Sequence, residues 1–165
     1  MTNYSILKTS WLGDLLLVAN ATQLTGIYYL HCGHAPAIEA GWSLNQRHPV
    51  LREAGKQLRD YLAGVTKSFS LTLDGGGTDF QKAVWRQIAM IPFGQTITYT
   101  ELATRAGAPD AIRAAGTATG RNPLSIVIPC HRVVAKDGSL GGYAGGLERK
   151  RLLLEAERSA RPPKI

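Results

Sequence analysis

The chain of 165 residues is 44% hydrophobic and carries 19 Lys and Arg against 12 Asp and Glu, a formal net charge of +7; it is long enough to bury a core as one domain or two small ones. No apolar stretch reaches membrane-spanning length, and residues 1–20 lack the basic-then-apolar pattern of a secretion signal, so a cytoplasmic location is expected. The only two cysteines, Cys32 and Cys130, are too few for a disulfide framework and suit a reducing compartment, which leaves Cys130 a free thiol.

Residues 4–30, YSILKTSWLGDLLLVANATQLTGIYYL, read as strands separated by the turn-forming Gly13-Asp14 and Asn20, a small meander. Over 48–64 apolar residues recur at 51, 54, 58, 61 and 62, which predicts a helix stopping at Gly64. SFSLTL (68–73) alternates like one more strand. DGGG (74–77) follows, and three glycines in a row mark a boundary because no element interior tolerates them cheaply. The charge divides at the same place: residues 1–77 hold 6 Lys and Arg against 5 Asp and Glu, whereas 78–165 hold 13 against 7. A basic surface kept only for solubility gives no reason for that asymmetry. A polyanionic partner does, with nucleic acid first among them.

Beyond the boundary, TDFQKAVWRQIAMI (78–91) predicts a helix with Thr78 or Asp79 as N-cap and an apolar stripe at 80, 84, 85 and 88. A short helix over 100–106, a turn at Gly107-Ala108-Pro109 and a second helix opening near Asp110 make a helix-turn-helix candidate. Ala111, Ala114, Ala115, Gly116, Ala118 and Gly120 leave the second helix almost without bulk. Its backbone can therefore approach another surface or pack tightly on a neighbouring helix, and Arg113 is the main long side chain on it.

In SIVIPCHRVV (125–134), the β-branched run Ile126-Val127-Ile128 predicts a short buried strand that ends at Pro129, with Cys130 just past its end. By itself a buried free cysteine is more often a small hydrophobe than a nucleophile. The wider context changes that. GTDFQKAVWRQIAMIPFGQTITYTELA, RAAGTATGRNPLSIVIPCHRVV and GGYAGGLERKRLLLEAE, in this order, resemble the O6-alkylguanine-DNA alkyltransferases over essentially all of 78–158, with PCHRV the most specific element. The N-terminal half resembles that family's smaller domain more loosely. The resemblance implies a suicide DNA-repair protein that moves an alkyl group from a guanine oxygen to its own cysteine. It implies no cofactor, and a monomer that binds alkylated double-stranded DNA through the minor groove with the target nucleotide flipped. It also implies an α/β chain of two domains: a small ribonuclease-H-like domain over 1–74, and a mainly helical, winged-helix-like DNA-binding and catalytic domain over 78–165.

Carbon–oxygen dealkylation needs a soft nucleophile, and an unassisted thiol with a pKa of about 8.5 is mostly protonated at neutral pH. A base must take the proton. His131 is adjacent, but neighbouring side chains seldom converge on one point, so a bridging water is the simplest link, and the resemblance implies such a relay. A histidine base needs a group that fixes its tautomer, usually a carboxylate; the resemblance assigns this to Glu157 on the last helix. Helical phase over 147–158 agrees. Glu157 shares the inward face of Leu153 and Leu154, whereas Glu155 lies with Arg151, Arg158 and Leu152 and is expected to make a surface pair.

The resemblance assigns further roles. Tyr99 donates to the purine ring and helps turn the phosphate, and Arg113 replaces the flipped nucleotide in the stack. Ala114, Thr119 and Gly120 complete the DNA-facing helix. Asn122 links that helix to the active-site strand and supports the catalytic hydrogen-bond network, the Val133 carbonyl meets the guanine amino group, and Tyr143 and the Ala144 N–H line the base pocket. Ser125 and Thr119 stand where relatives carry a proline and a bulkier residue, which leaves tolerance for large alkyl groups open, as are activity on O4-alkylthymine and cooperativity. HCGH (31–34) lacks the spacing of a structural zinc site, so no metal is expected. The rivals are a helix-turn-helix regulator or lesion binder without transfer activity, and a cysteine hydrolase, whose acyl intermediate water could release.

Overall fold

The N-terminal meander forms as expected. In the computed structural model, which describes residues 1–165, β1 (Asn3–Leu7), β2 (Leu15–Ala19) and β3 (Leu24–Tyr29) pair antiparallel. A short β4 (Ser43–Leu44) joins β1 in parallel, giving the order β3-β2-β1-β4. Two residues are too few to carry a period, so β4 left no mark in the sequence. Helix α1 (Pro49–Leu62) opens with a proline, whose missing N–H costs nothing in the first turn. It buries Leu51, Ala54, Leu58, Tyr61 and Leu62 against the sheet, and the chain reverses at Gly64 with φ +79°.

SFSLTL is not a strand. It runs extended beside β3 but makes one parallel bridge, Leu24 to Leu73. Upstream of that bridge a side chain replaces the ladder: Gln57 on α1 accepts from Ser70 N at 2.9 Å and donates to Ser70 O at 3.3 Å. Alternation told which residues face inward, and Phe69, Leu71 and Leu73 do pack on the core, but not how the backbone would be satisfied.

After the glycine run, Thr78 caps α2 (Asp79–Ala89) in a reciprocal capping box with Gln81, which settles the choice between Thr78 and Asp79. The short β5 (Ile97–Thr98) leads into α3 (Tyr99–Arg105), capped by the Thr98 hydroxyl, and α4 (Ile112–Gly120) follows a turn that contains Gly107 at φ +81°. The near-absence of bulk on α4 serves both of its faces. Ala115, Ala118 and Thr119 are buried, and the Trp85 indole donates to Ala118 O at 2.8 Å, drawing α2 onto the backbone of α4. Arg113, Ala114 and Gly120 are exposed on the other side. Finally β6 (Val133–Val134) pairs parallel with β5, and α5 (Leu147–Ser159) closes the fold.

The architecture is thus mixed α/β, with the four-stranded sheet and α1 before the glycine run and a mainly helical half after it. One core of 28 buried residues spans both halves, and Ile27 of β3 donates to Pro123 O at 2.8 Å. No helix is long and apolar enough to cross a membrane.

Candidate active site

The segment before Cys130 departs from expectation. Residues 126–128 form a tight loop rather than a strand, with Ile126 in the left-handed region at φ +76°. That conformation is costly for a β-branched residue, of the order of 1–3 kcal/mol. Asn122 imposes it: its Nδ2 donates to Ile128 O at 2.8 Å while its Oδ1 accepts from Leu124 N at 2.9 Å. One side chain thus spans the loop from Leu124 to Ile128, which the Ile128 N–H also closes by donating to Leu124 O at 2.9 Å. The chain then enters a 3₁₀ turn, Cys130–Arg132, which sets the thiol and the next two side chains in different directions. A run that reads as a strand from its composition is bent by a partner just outside it.

His131 is fully buried, and its Nε2 lies 2.7 Å from Glu157 Oε2. Because an ionised carboxylate only accepts, Nε2 carries the proton and Nδ1 is left with a free lone pair; Nδ1 has no partner within the protein. Burial lowers the imidazole pKa below its ordinary value, against the opposing pull of Glu157, so the ring is neutral at neutral pH. Burial alone would raise the Glu157 carboxyl. The hydrogen bonds and charges of His131 and Arg132 outweigh it and hold the group far below the usual carboxylate range. Arg132 binds that carboxylate bidentately, Nε to Oε1 and Nη2 to Oε2 at 2.8 Å each, and sends Nη1 to Ile91 O at 2.6 Å. Tyr61 Oη donates to Oε2 at 2.5 Å and Gly94 N to Oε1 at 3.2 Å.

The α5 phase therefore selects correctly. Glu157 is 3% exposed, and Glu155 makes the expected surface pair with Arg151 at 2.9 Å. The buried leucines beside Glu157 are Leu152 and Leu153, however, and Leu154 is only half-buried, because the helix is turned slightly from the phase read in the sequence. Cys130, 5% exposed, has its thiol pKa raised by burial, with Asn122 and the Lys150 charge acting the other way. A thiol that holds its proton would need a base before it could attack as a nucleophile.

Cys130 lines an open cleft of about 740 Å³ together with Tyr99, Arg113, Thr119, Gly120, Tyr143 and Ala144. The structure thus brings most of the proposed DNA-facing and pocket residues to one place, but not Ala114, Ser125 or Val133. Ala114 lies on the neighbouring groove between α2 and α4, and Ser125 is buried in a smaller adjoining cavity of about 260 Å³. The two cavities share Gly120 and Ala144, and also His34, so the HCGH segment reaches the cleft edge. No cluster of three or more His, Cys, Asp and Glu is set to hold a metal. The Val133 carbonyl, expected to be free for a base, accepts from Lys150 Nζ at 2.7 Å and keeps one lone pair.

Four residues escaped the sequence reading. Arg132 is the cation directly after His131, and nothing in the local pattern marks it as buried. Lys150 hides in the charge run LERKR, yet it is fully buried, and its Nζ also donates to Leu140 O and to Gly142 O at 3.0 Å, tying the glycine loop to β6. Burial brings its pKa down to about 8. Tyr29 and Tyr61 come from the N-terminal half, and Tyr29 Oη meets Tyr143 Oη at 2.6 Å. The glycine loop is close-fitting. A Cβ on Gly141, at φ +71°, would lie 2.9 Å from the Tyr99 hydroxyl. Gly141→Ala is expected to cost about 1–2 kcal/mol, read as a lowered midpoint in thermal unfolding.

A cysteine thiol next in sequence to a carboxylate-bound imidazole, opening into a cleft beside a small-residue helix, fits a cysteine group-transfer protein on a helix-turn-helix scaffold. Residues 79–159 match the family model described as 6-O-methylguanine DNA methyltransferase, DNA binding domain. The chain is 44% identical to the methylated-DNA–protein-cysteine methyltransferase of Methanosarcina barkeri, over 93% of this chain and 96% of that one. It is similar in structure to the Mycobacterium tuberculosis OGT solved in complex with DNA, with a TM-score of 0.88 and 40% identity over 97% of this chain and 95% of that one. The O6-methylguanine-DNA methyltransferase of Pyrococcus kodakaraensis superposes with a TM-score of 0.67 at 25% identity, over 95% of this chain and 99% of that one. The chain belongs to the methylated-DNA–protein-cysteine methyltransferase family.

Proposed function

We propose that this protein repairs DNA by moving the alkyl group of O6-alkylguanine irreversibly onto Cys130. The observation that carries the reading is the buried His131–Glu157 pair, at 2.7 Å, directly behind a cysteine that opens into the cleft. The Cys130 proton passes through one water to His131 Nδ1, the thiolate sulfur bonds to the alkyl carbon, and the carbon–oxygen bond breaks. The electron pair stays on the guanine oxygen, whose charge Tyr99 relieves by donating to the purine. The product is a thioether with no carbonyl for water to attack, so each chain reacts once, without a cofactor. Intact mass after incubation with an O6-methylguanine duplex tests the reading.

In this reading Asn122 holds the loop that presents Cys130, and Val133, Tyr143, Ala144 and Ser125 shape the pocket. Residues 1–74 act as a supporting unit and 78–165 as the unit that binds DNA and reacts, in a cytoplasmic monomer. The target base must leave the stack because its oxygen is unreachable within it. The exposed small-residue face of α4, with Ala114 and Gly120, presses into the minor groove while the buried Thr119 backs it at the cleft, and Arg113 fills the gap the base leaves. Arg113 makes no ion pair, and its side chain stands exposed at the cleft. Arg113→Ala is therefore expected to slow transfer from duplex at saturating DNA by about tenfold or more, since extrusion costs a few kcal/mol, and to leave reaction with free O6-alkylated guanine nearly unchanged. Full recovery of the duplex rate at saturation would make Arg113 a phosphate contact only.

A further inference from the structure

We propose that Tyr61, on the last turn of α1 and outside the half that carries Cys130, is a positioning residue for alkyl transfer: its hydroxyl fixes the Glu157 oxygen that orients His131. The inference rests on the transfer reading above. Tyr61 and Glu157 are 96 residues apart in the chain, yet the hydroxyl donates to Oε2 at 2.5 Å, and Oε2 is the oxygen that receives His131 Nε2. The ring is fixed on two sides, with its centroid 5.2 Å from that of Phe69 and 6.2 Å, edge-on, from that of Phe93. A phenylalanine would satisfy that packing equally. The hydroxyl therefore answers to the carboxylate, and the carboxylate does not depend on it for pairing because Arg132 already binds both oxygens.

The effect of the hydroxyl is on the base. Each donor to Oε2 withdraws charge from it and weakens its pull on the imidazole N–H. Burial, followed by the Glu157 charge, holds the Tyr61 phenol well above its ordinary pKa, so it acts only as a donor. The other groups that act on the pair are Arg132 beside Glu157, Lys150 and Cys130 across the site, and Tyr29 and Tyr143, whose hydroxyls bond to each other. None of these is changed by a substitution at 61. With the hydroxyl removed, Oε2 draws the His131 proton more strongly, the imidazole becomes more basic, and it stays protonated, unable to accept from the thiol, up to a higher pH.

The test measures single-turnover transfer from an O6-methylguanine duplex to the full chain across the acid limb of the pH–rate profile. Wild type that leaves Cys130 unalkylated would refute the transfer reading itself, before Tyr61 is at issue. Given transfer, Tyr61→Phe is expected to move the limb up by about half a pH unit, which is about a threefold loss of rate on the limb. In a Glu157→Gln background Tyr61→Phe should change nothing further, because its path runs through the carboxylate. Tyrosine fluorinated beside its hydroxyl, introduced at position 61, keeps the packing and donates more strongly, so it should move the limb the other way. This variant decides the matter even where Tyr61→Phe folds poorly. A limb that stays in place in both variants, or an undiminished effect of Tyr61→Phe in the Glu157→Gln background, overturns the proposal.

Discussion

Cys130→Ser is expected to abolish repair, while wild type takes up one methyl group per chain and then stops. A serine hydroxyl is a far weaker nucleophile than a thiolate, and His131 lacks the basicity to ionise it. Loss of a nucleophile in a site of this kind costs about three orders of magnitude or more in rate. The side chain is nearly isosteric and makes no ion pair, so the fold should survive, and thermal unfolding will show it. Peptide mapping of the methylated protein should place the methyl on Cys130 and none on Cys32. Cys32 is held away from the cleft lining, with Arg149 Nη1 donating to its Sγ at 2.9 Å. A methyl on Cys32, or a Cys130→Ser protein that repairs at the wild-type rate, would end the mechanism.

The second large effect is that of Glu157→Gln, which should slow transfer by about a hundredfold or more, by analogy with removal of the carboxylate that orients a histidine base. An amide offers Nε2 of His131 either a competing donor or a neutral oxygen, and leaves Arg132 buried without its counter-charge. Breaking a buried pair from one side costs about 3–5 kcal/mol, so the rate must be compared under conditions where both proteins are folded. Glu155→Gln is the control. It removes an exposed pair from Arg151, which keeps Glu148 at 2.7 Å, and should change stability by no more than about 1 kcal/mol. Equal effects on rate from the two substitutions would break the relay argument.

The pH dependence has a definite sign. The folded carboxyl of Glu157 is depressed relative to its ordinary value of 4.5. Its contribution to stability is therefore complete above that value and is lost as the pH falls below it. The stability gap between wild type and Glu157→Gln should accordingly narrow in acid, as measured by denaturant unfolding at stepped pH.

Much of the fold was legible in the chain because the forces that set it are short-range. The stripe at 51, 54, 58, 61 and 62 fixed α1 and its buried face, the start of α2 was marked to within one residue at Thr78 or Asp79, and Gly64 supplied the backbone a reversal needs. The same helical arithmetic separated Glu157 from Glu155, since residues on one helix share a face whatever packs against it. PCHRV and its flanking segments, by resemblance, pointed to Cys130 and His131 as the proposed nucleophile and base. What failed or was missed depended on partners distant in sequence or outside the local pattern. Ile126–Ile128 is a loop that Asn122 spans, and SFSLTL meets β3 only at its end while Gln57 takes up the backbone N–H and C=O of Ser70. The full set of donors on Glu157, with Arg132 beside it and Tyr61 from α1, arises only when α1 and α5 dock on one core. Periodicity and caps act within a turn or two of the chain and so can be read along it. A buried hydrogen-bond partner is chosen by which surfaces meet after collapse, and no local pattern encodes that choice.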